Sequence, residues 1–186
     1  MIKDLTNIQQ FTENKNIVLL GNARSILTNE KDIDTFDIVC RINRGIPKGK
    51  EKAIGSRTDI LFLATKMREE QITQNFDPRF IVWTTDSQGL ALPYVMTYAT
   101  QNPPEDWRTL YHRVQPDALP STGYVAINFL LKHINFKSLT IYGFDFFQTG
   151  TWYHNLLNQK WHNGKKEEKL IKEMIKNKNI ELIIEK

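Results

Sequence analysis

Six short runs of this chain are apolar at nearly every position: Asn16–Leu20, Ile38–Ile42, Asp59–Ala64, Phe80–Thr84, Leu139–Tyr142 and Glu181–Ile184. Each has strand length and is rich in β-branched or aromatic residues. Most lack in–out alternation, the pattern of strands covered on both faces, as in a parallel sheet. Helical periods lie between them. Lys66–Asn75 is charged and amphipathic, and Thr122–His133 is largely apolar. Lys165–Lys178 sets Leu170, Ile171, Met174 and Ile175 on one stripe, with lysine and glutamate elsewhere. Strands alternating with helices, joined by right-handed crossovers, predict an α/β fold: a Rossmann-like, mostly parallel sheet with helices on both faces.

Two segments follow neither period. Residues 86–120 are rich in proline and aromatics, including Pro103-Pro104, Trp107 and Tyr111. Residues 144–164 are rich in aromatics, glycine and asparagine. Both are expected to be irregular. Long irregular segments at the carboxyl ends of strands build the ligand site in such folds.

Composition narrows the class. The 186 residues suit one domain spanning 1–186. With 40% hydrophobic and 25% charged residues the chain can bury a core and is not compositionally disordered. The one cysteine, Cys40, excludes an intrachain disulfide and points to a reducing compartment. A net charge of +4 fits an anionic ligand but is too small to argue for nucleic acid. The start, Met1 to Asn7, lacks the apolar stretch of a signal peptide, and no run reaches the ~18 apolar residues of a membrane span. The expectation is a cytoplasmic protein. The lysine-rich last helix could touch an anionic membrane surface, but a solvated helix face is the simpler account.

Four polar stretches could carry chemistry. In Leu20-Gly21-Asn22-Ala23-Arg24-Ser25-Ile26-Leu27 a strand ends in Gly-Asn. Glycine permits close backbone approach, and a following helix N-terminus would offer N–H groups to an anion. It is neither G-x-G-x-x-G nor a Walker loop. An ordinary tight turn satisfies the same residues. In Asp37 to Arg44 a strand ends at Asn43, with Arg41 and Asn43 on one face by alternation; a solvated strand end is the plain alternative. In Pro120-Ser121-Thr122-Gly123-Tyr124, Ser121 or Thr122 can cap the helix or hold a phosphate. No G-x-S-x-G elbow is present, which argues against a serine hydrolase. The fourth stretch pairs Thr151-Trp152-Tyr153-His154-Asn155 with His162-Asn163-Gly164-Lys165-Lys166-Glu167. It lacks zinc-ligand spacing, and His162 could also be an exposed residue before a helix.

Their order and content together resemble the sialyl motifs of glycosyltransferase family 29, the animal-type sialyltransferases. A looser similarity extends to bacterial sialyltransferases of family 42. The long motif resembles Leu20–Leu27, Asp37–Asn43 and Ile54-Gly55-Ser56-Arg57-Thr58. The short motif resembles Pro120 to Phe144, the third motif Trp152 to Asn155, and the His-x(4)-Glu motif His162 to Glu167. The resemblance runs collinearly over residues 16–184. It implies a sialyltransferase-type glycosyltransferase fold and transfer of sialic acid, or a related ulosonic acid, from a CMP-sugar to a glycan hydroxyl. It implies inversion at the anomeric centre, without a metal or other cofactor. By position it assigns Gly21, Asn22, Asn43, Ser121, Thr122 and Gly123 to the donor nucleotide. His162 becomes the general base, a role that suits an imidazole near neutral pH. Tyr153 or His154 is the expected phosphate contact, and Glu167 a supporting residue. Residues 86–115 and 144–164 are candidates for acceptor recognition and lid closure, and Trp152, Tyr153 and Trp161 could stack on sugar faces or simply pack.

Departures from the motifs are plain. Ala23-Arg24 replaces Ser-Gly in the long motif, and Trp152 stands where histidine is common. Cys40 has no partner for the disulfide that joins the long and short motifs in the animal enzymes. Asp32-Ile33-Asp34 is a DxD before a strand rather than after one, and reads as a solvated turn. Metal binding there would favour a UDP-sugar donor instead. A non-catalytic nucleotide or glycan binder is the other alternative.

Overall fold

The computed structural model describes residues 5–183, apart from 88, 90, 117, 155–160 and 177. Seven parallel strands form one sheet: β1 (Asn16–Leu20), β2 (Ile38–Ile42), β3 (Ile60–Leu63), β4 (Phe80–Trp83), β5 (Ala99–Gln101), β6 (Ser138–Tyr142) and β7 (Ile180–Ile183). Their order is β5-β4-β3-β2-β1-β6-β7. The six predicted strands are present within one residue at each end. Ile184, the predicted last residue of the sixth, lies outside the described residues.

After β1 the chain lays its strands outward to β5, then returns to place β6 on the other side of β1. Between β1 and β6 the connections diverge, which opens a crevice beyond the strands' carboxyl ends.

Among the described residues, seven α-helices cover the sheet: α1 (Leu5–Thr12), α2 (Glu51–Ile54), α3 (Glu69–Asn75), α4 (Pro93–Tyr98), α5 (Pro104–Val114), α6 (Thr122–His133) and α7 (Gly164–Ile175). One face packs Ile17, Leu19, Cys40, Ile60 and Phe62 against α1, α5, α6 and α7. On the opposite face Val18, Leu20 and Val39 meet α2, while Leu61, Leu63 and Trp83 meet α3 and α4. Strict alternation of the two sets along each strand explains why these runs read as continuously apolar.

Central among the helices is α6. Tyr124, Val125, Ala126, Ile127, Phe129 and Leu130 are all buried. Each large side chain contributes about 1.5–3 kcal/mol on burial. Asp106 of α5 anchors the far end of α6, accepting from His133 Nε2 at 2.6 Å and from Lys132. His133 is thus a structural residue.

The expectation that 86–120 is irregular needs correction. That segment holds α4, the edge strand β5 and α5. Pro93 and Pro104 stand in the first helical turns, where the missing N–H costs nothing. Trp107, Leu110, Tyr111 and Val114 recur at helical spacing, with Leu110 and Val114 buried. The prolines read as loop markers when they were start signals. Lys66–Asn75 likewise begins late, at Glu69, and 165–178 becomes Gly164–Ile175. No helix among the described residues is long and apolar enough to cross a membrane.

Candidate functional site

At the carboxyl ends of β1, β2 and β6 lies an open cavity of ≈ 150 Å³. Gly21, Asn22, Asn43, Ser121, Thr122, Gly123, Tyr153, His162 and Glu167 all line it, so residues spread over most of the chain converge on one place. His154 does not line the cavity, and Asn155 lies outside the described residues.

β1 and β6 enter the site together. Gly21 N donates to Tyr142 O at 2.7 Å and Ala23 N to Gly143 O at 3.1 Å. A Cβ on Gly21 would overlap the Gly143 carbonyl, so close backbone approach explains this glycine before any ligand does. The expected helix after Gly21-Asn22 is absent. Ala23 forms a β-bridge to Thr151, and residues Arg24–Thr28 make a short 3-10 turn. This end of the crevice therefore has no α-helical dipole.

The two asparagines act as ties. Asn22 Nδ2 donates to Ile42 O at 3.0 Å and to the Tyr153 hydroxyl at 3.2 Å. Both amide protons are in use, while its Oδ1 is buried with no hydrogen-bond partner. Asn43 takes φ 47°, a left-handed conformation that asparagine tolerates. Its Nδ2 donates to Thr122 Oγ1 at 3.0 Å, and its Oδ1 accepts from Ala64 N at 2.9 Å. That turn ends the alternation of β2, which corrects the placement of Arg41 and Asn43 on one face. Asn43 reaches α6 on one side of the sheet. Arg41 points to the other, where its buried guanidinium donates to Ile54 O, Gly55 O, Arg57 O and Thr58 Oγ1. Burial pulls the Arg41 pKa down to about 10, against the opposing pull of Asp34 and Asp59.

The start of α6 is locked to the start of α7. Ser121 Oγ accepts from Tyr124 N at 3.1 Å, so Ser121 rather than Thr122 makes the N-cap bond expected of one of them. It donates to Glu167 Oε2 at 2.6 Å, and Ser121 N donates to Glu167 Oε1 at 2.8 Å. Glu167 is 2% exposed, and burial pushes its carboxyl up to about 7 against the two Ser121 bonds. It therefore supports α6 rather than His162. Gly123 packs flat against Phe144, where a Cβ would lie 2.6 Å from a ring carbon.

His162 sits between these elements. Its Nδ1 is 2.8 Å from Leu119 O. A carbonyl only accepts, so Nδ1 carries the proton and Nε2 keeps a lone pair. Phe147 stacks on the imidazole at 5.2 Å between centroids and 18° between planes. Burial lowers the His162 pKa, with the Leu119 bond opposing it, so the neutral base is the prevailing form at neutral pH.

Several hydrogen-bond donors lie at the cavity. The Tyr153 hydroxyl accepts from Asn22, also bonds the Thr151 side chain, and is a phenol that stays protonated near neutral pH. Arg44, exposed on the adjacent turn, is close enough to act electrostatically on that hydroxyl. Thr122 and Gly123 are the first two residues of α6, where helix N–H groups lack intrahelical acceptors.

Thr151 of the fourth stretch also lines the cavity, with Asp145, Phe147 and Thr149, which sequence reasoning placed in the 144–164 segment but did not single out. An acidic residue two positions past a buried strand end was the available signal. Asp32 and Asp34 lie elsewhere. Asp32 caps the turn Ile33–Thr35, and Asp34 accepts from Ser56 N, Ser56 Oγ and Arg57 N. The DxD is the solvated turn expected of it, and Asp34 in addition braces the 54–58 loop. Trp152 packs partly against the core on the α2 face, while Tyr153 and Trp161 are exposed.

No family model matches this chain, and no curated protein does. Solved structures do. A crystal structure of a mammalian sialyltransferase matches with a TM-score of 0.61 at 16% identity, covering 98% of this chain and 80% of that one. A mammalian sialyltransferase in complex with Gal-beta-1-3GalNAc-ortho-nitrophenol matches with a TM-score of 0.57, with the same identity and coverage. Over nearly its whole length, this chain has the α/β fold of those mammalian sialyltransferases.

Proposed function

We propose that this chain is a sialyltransferase-like glycosyltransferase. It moves sialic acid, or a related ulosonic acid, from a CMP-activated donor to a glycan hydroxyl, with inversion and without a metal. The observation that carries the reading is His162, held with Nδ1 on Leu119 O so that Nε2 is a base beside a cavity rich in hydrogen-bond donors. The shared fold and the collinear motifs support it.

The chemistry follows from the geometry. The acceptor hydroxyl gives its proton to His162 Nε2 as its oxygen attacks the anomeric carbon. The bond from that carbon to the CMP phosphate breaks, and its electron pair leaves on the phosphate oxygen. Leu119 O steadies the imidazolium through Nδ1–H. The phosphate receives the Tyr153 hydroxyl and the Thr122 and Gly123 N–H groups, donors that meet developing charge without needing to reorganise. Asn22 and Asn43 act through the groups they tie, Tyr153 and Thr122. A nucleoside monophosphate is already a good leaving group, so hydrogen-bond donors suffice.

A donor screen by mass spectrometry, with CMP-Neu5Ac and CMP-Kdo against simple glycosides, tests the reading. His162→Ala should abolish transfer and CMP-sugar hydrolysis while CMP still binds by titration calorimetry. Unchanged turnover in that variant, or preference for a UDP-sugar with Mn²⁺, would overturn it.

A further inference from the structure

His162 is held on its second side by a turn that no motif reading included. Asp145 follows β6 and is 8% exposed. Its Oδ1 accepts from Phe147 N at 3.0 Å, and its Oδ2 accepts from Thr149 N at 2.7 Å and from Thr149 Oγ1. Those bonds close a tight turn through two successive phenylalanines in left-handed backbone, Phe146 at φ 53° and Phe147 at φ 66°. Such a conformation is unfavourable for a bulky side chain and persists only where surrounding structure imposes it. Two things impose it here. Phe146 is buried in the core beneath α6, and Gly164 at the start of α7 sits so close to the Phe146 carbonyl that a Cβ would overlap it. The turn delivers the Phe147 ring flat against the His162 imidazole, opposite in function to the Leu119 bond: one fixes the ring plane, the other the tautomer.

We propose that Asp145 is a positioning residue for His162, acting through Phe147. Its carboxylate holds the strained turn that presses the phenyl ring against the imidazole. The inference rests on His162 being the base. Asp145 makes no hydrogen bond to the imidazole, and its described partners are backbone and Thr149 groups. Asparagine could satisfy only one side of the turn, because its NH₂ would face an N–H donor on the other. The left-handed turn would then relax and the ring would leave the imidazole.

Other charges near His162 set the controls. Asp145 and Tyr153 share its cavity from the β6–α7 segment, and Glu167 from α7. The turns after β1 and β2 contribute the neutral Asn22 and Asn43 to the lining, with Arg44 acting on Tyr153, and the start of α6 contributes Ser121, Thr122 and Gly123. The ammonium of Lys166 is bound to Val114 O and Gln115 O. Because Glu167 titrates near neutrality too, the imidazole must be read directly.

The test is an NMR titration of His162 with ¹⁵N-labelled imidazole, in wild type and in Asp145→Asn, Phe147→Ala and the double variant. Wild type should show the Nδ1–H tautomer and a titration midpoint below the ordinary histidine value. Asp145→Asn and Phe147→Ala should each raise the midpoint and mix the tautomers. The double variant should match Phe147→Ala, because residues that act in series are not additive. In the transfer assay Asp145→Asn should lower kcat by about 10–100-fold, as expected for a misplaced catalytic group, with little change in donor KM. Thr149→Val removes one hydrogen bond and keeps the carboxylate. It should move the midpoint in the same direction by less, and it decides the matter if Asp145→Asn fails to fold. An Asp145→Asn protein with wild-type midpoint and tautomer, or a double variant that exceeds Phe147→Ala, would overturn the proposal. These readouts need no turnover. Survival of activity in His162→Ala would remove the base assignment while leaving the coupling intact, so the two failures are separable.

Discussion

Replacing Glu167 by glutamine isolates one buried proton. The wild-type carboxyl is almost fully enclosed and accepts from Ser121 N and Ser121 Oγ. Its pKa rises from the ordinary 4.5 to about 7 because burial disfavours the charge more than those bonds favour it. The sign follows from proton counting. Below about pH 4.5 the group is neutral folded and unfolded, and its full contribution is present. Between about pH 4.5 and 7 the unfolded chain releases the proton while the folded chain holds it, so stability falls as pH rises. At up to about 1.4 kcal/mol per pH unit, the loss across that window is about 3 kcal/mol. Glutamine keeps the shape. Its Oε1 can accept from Ser121 N and its Nε2 can donate to Ser121 Oγ, but it never charges. Urea unfolding followed by fluorescence of the four tryptophans, at pH 5, 6, 7 and 8, measures both proteins. Other titrating groups are common to both and cancel in the difference. Glu167→Gln should be within about 1 kcal/mol of wild type at pH 5 and about 3 kcal/mol more stable at pH 8. A difference that stays flat from pH 5 to 8 would show that Glu167 ionises normally, and the burial argument would fall.

Two more outcomes follow from single side chains. Arg41→Ala should destabilise the protein by about 2–5 kcal/mol, since it strips the buried carbonyls of Ile54 and Gly55 and the half-buried one of Arg57 of their donor; a loss under 1 kcal/mol in urea would refute that role. Tyr153→Phe should weaken CMP binding by about 1.5–3 kcal/mol in titration calorimetry, the worth of a bond to a charged acceptor, with unchanged affinity excluding the hydroxyl as a phosphate contact.

The sheet was legible because a two-sided parallel sheet writes an unbroken apolar run for each strand. β5 was the exception, since Ala99-Thr100-Gln101 at the edge buries only Thr100 and needs no such run. α1 was overlooked although Leu5, Ile8 and Phe11 repeat at helical spacing, and α4 and α5 were hidden by prolines that start helices as readily as they end them. At the site, the named site residues other than His154 line one cavity, but the direction of their hydrogen bonds was not readable. Asn22 and Asn43 looked like ligand donors and turn out to be bonded to the protein itself. Glu167 read as a supporting residue, and what it supports is Ser121 at the start of α6. Nothing in a linear pattern distinguishes an amide that faces a cavity from one that faces a carbonyl 20 residues away. Asp145 escaped notice for the same reason, its function resting on a backbone conformation that phenylalanine rarely adopts.

The position of β1 bears on how the molecule assembles. It is the first strand to be synthesised, yet one of its two edges is closed only by β6, with Asn16 and Ser138 bonded across 122 positions. Until the later strand arrives, a nascent chain carries at the middle of its future sheet an open edge of unpaired backbone N–H and C=O groups, on a strand whose faces are apolar. Pairing over such a separation is slow, and an unpaired edge with apolar faces invites association with other chains. Overproduction at low temperature, or with chaperones that shield strand edges, should therefore raise the soluble yield more than any change at the site.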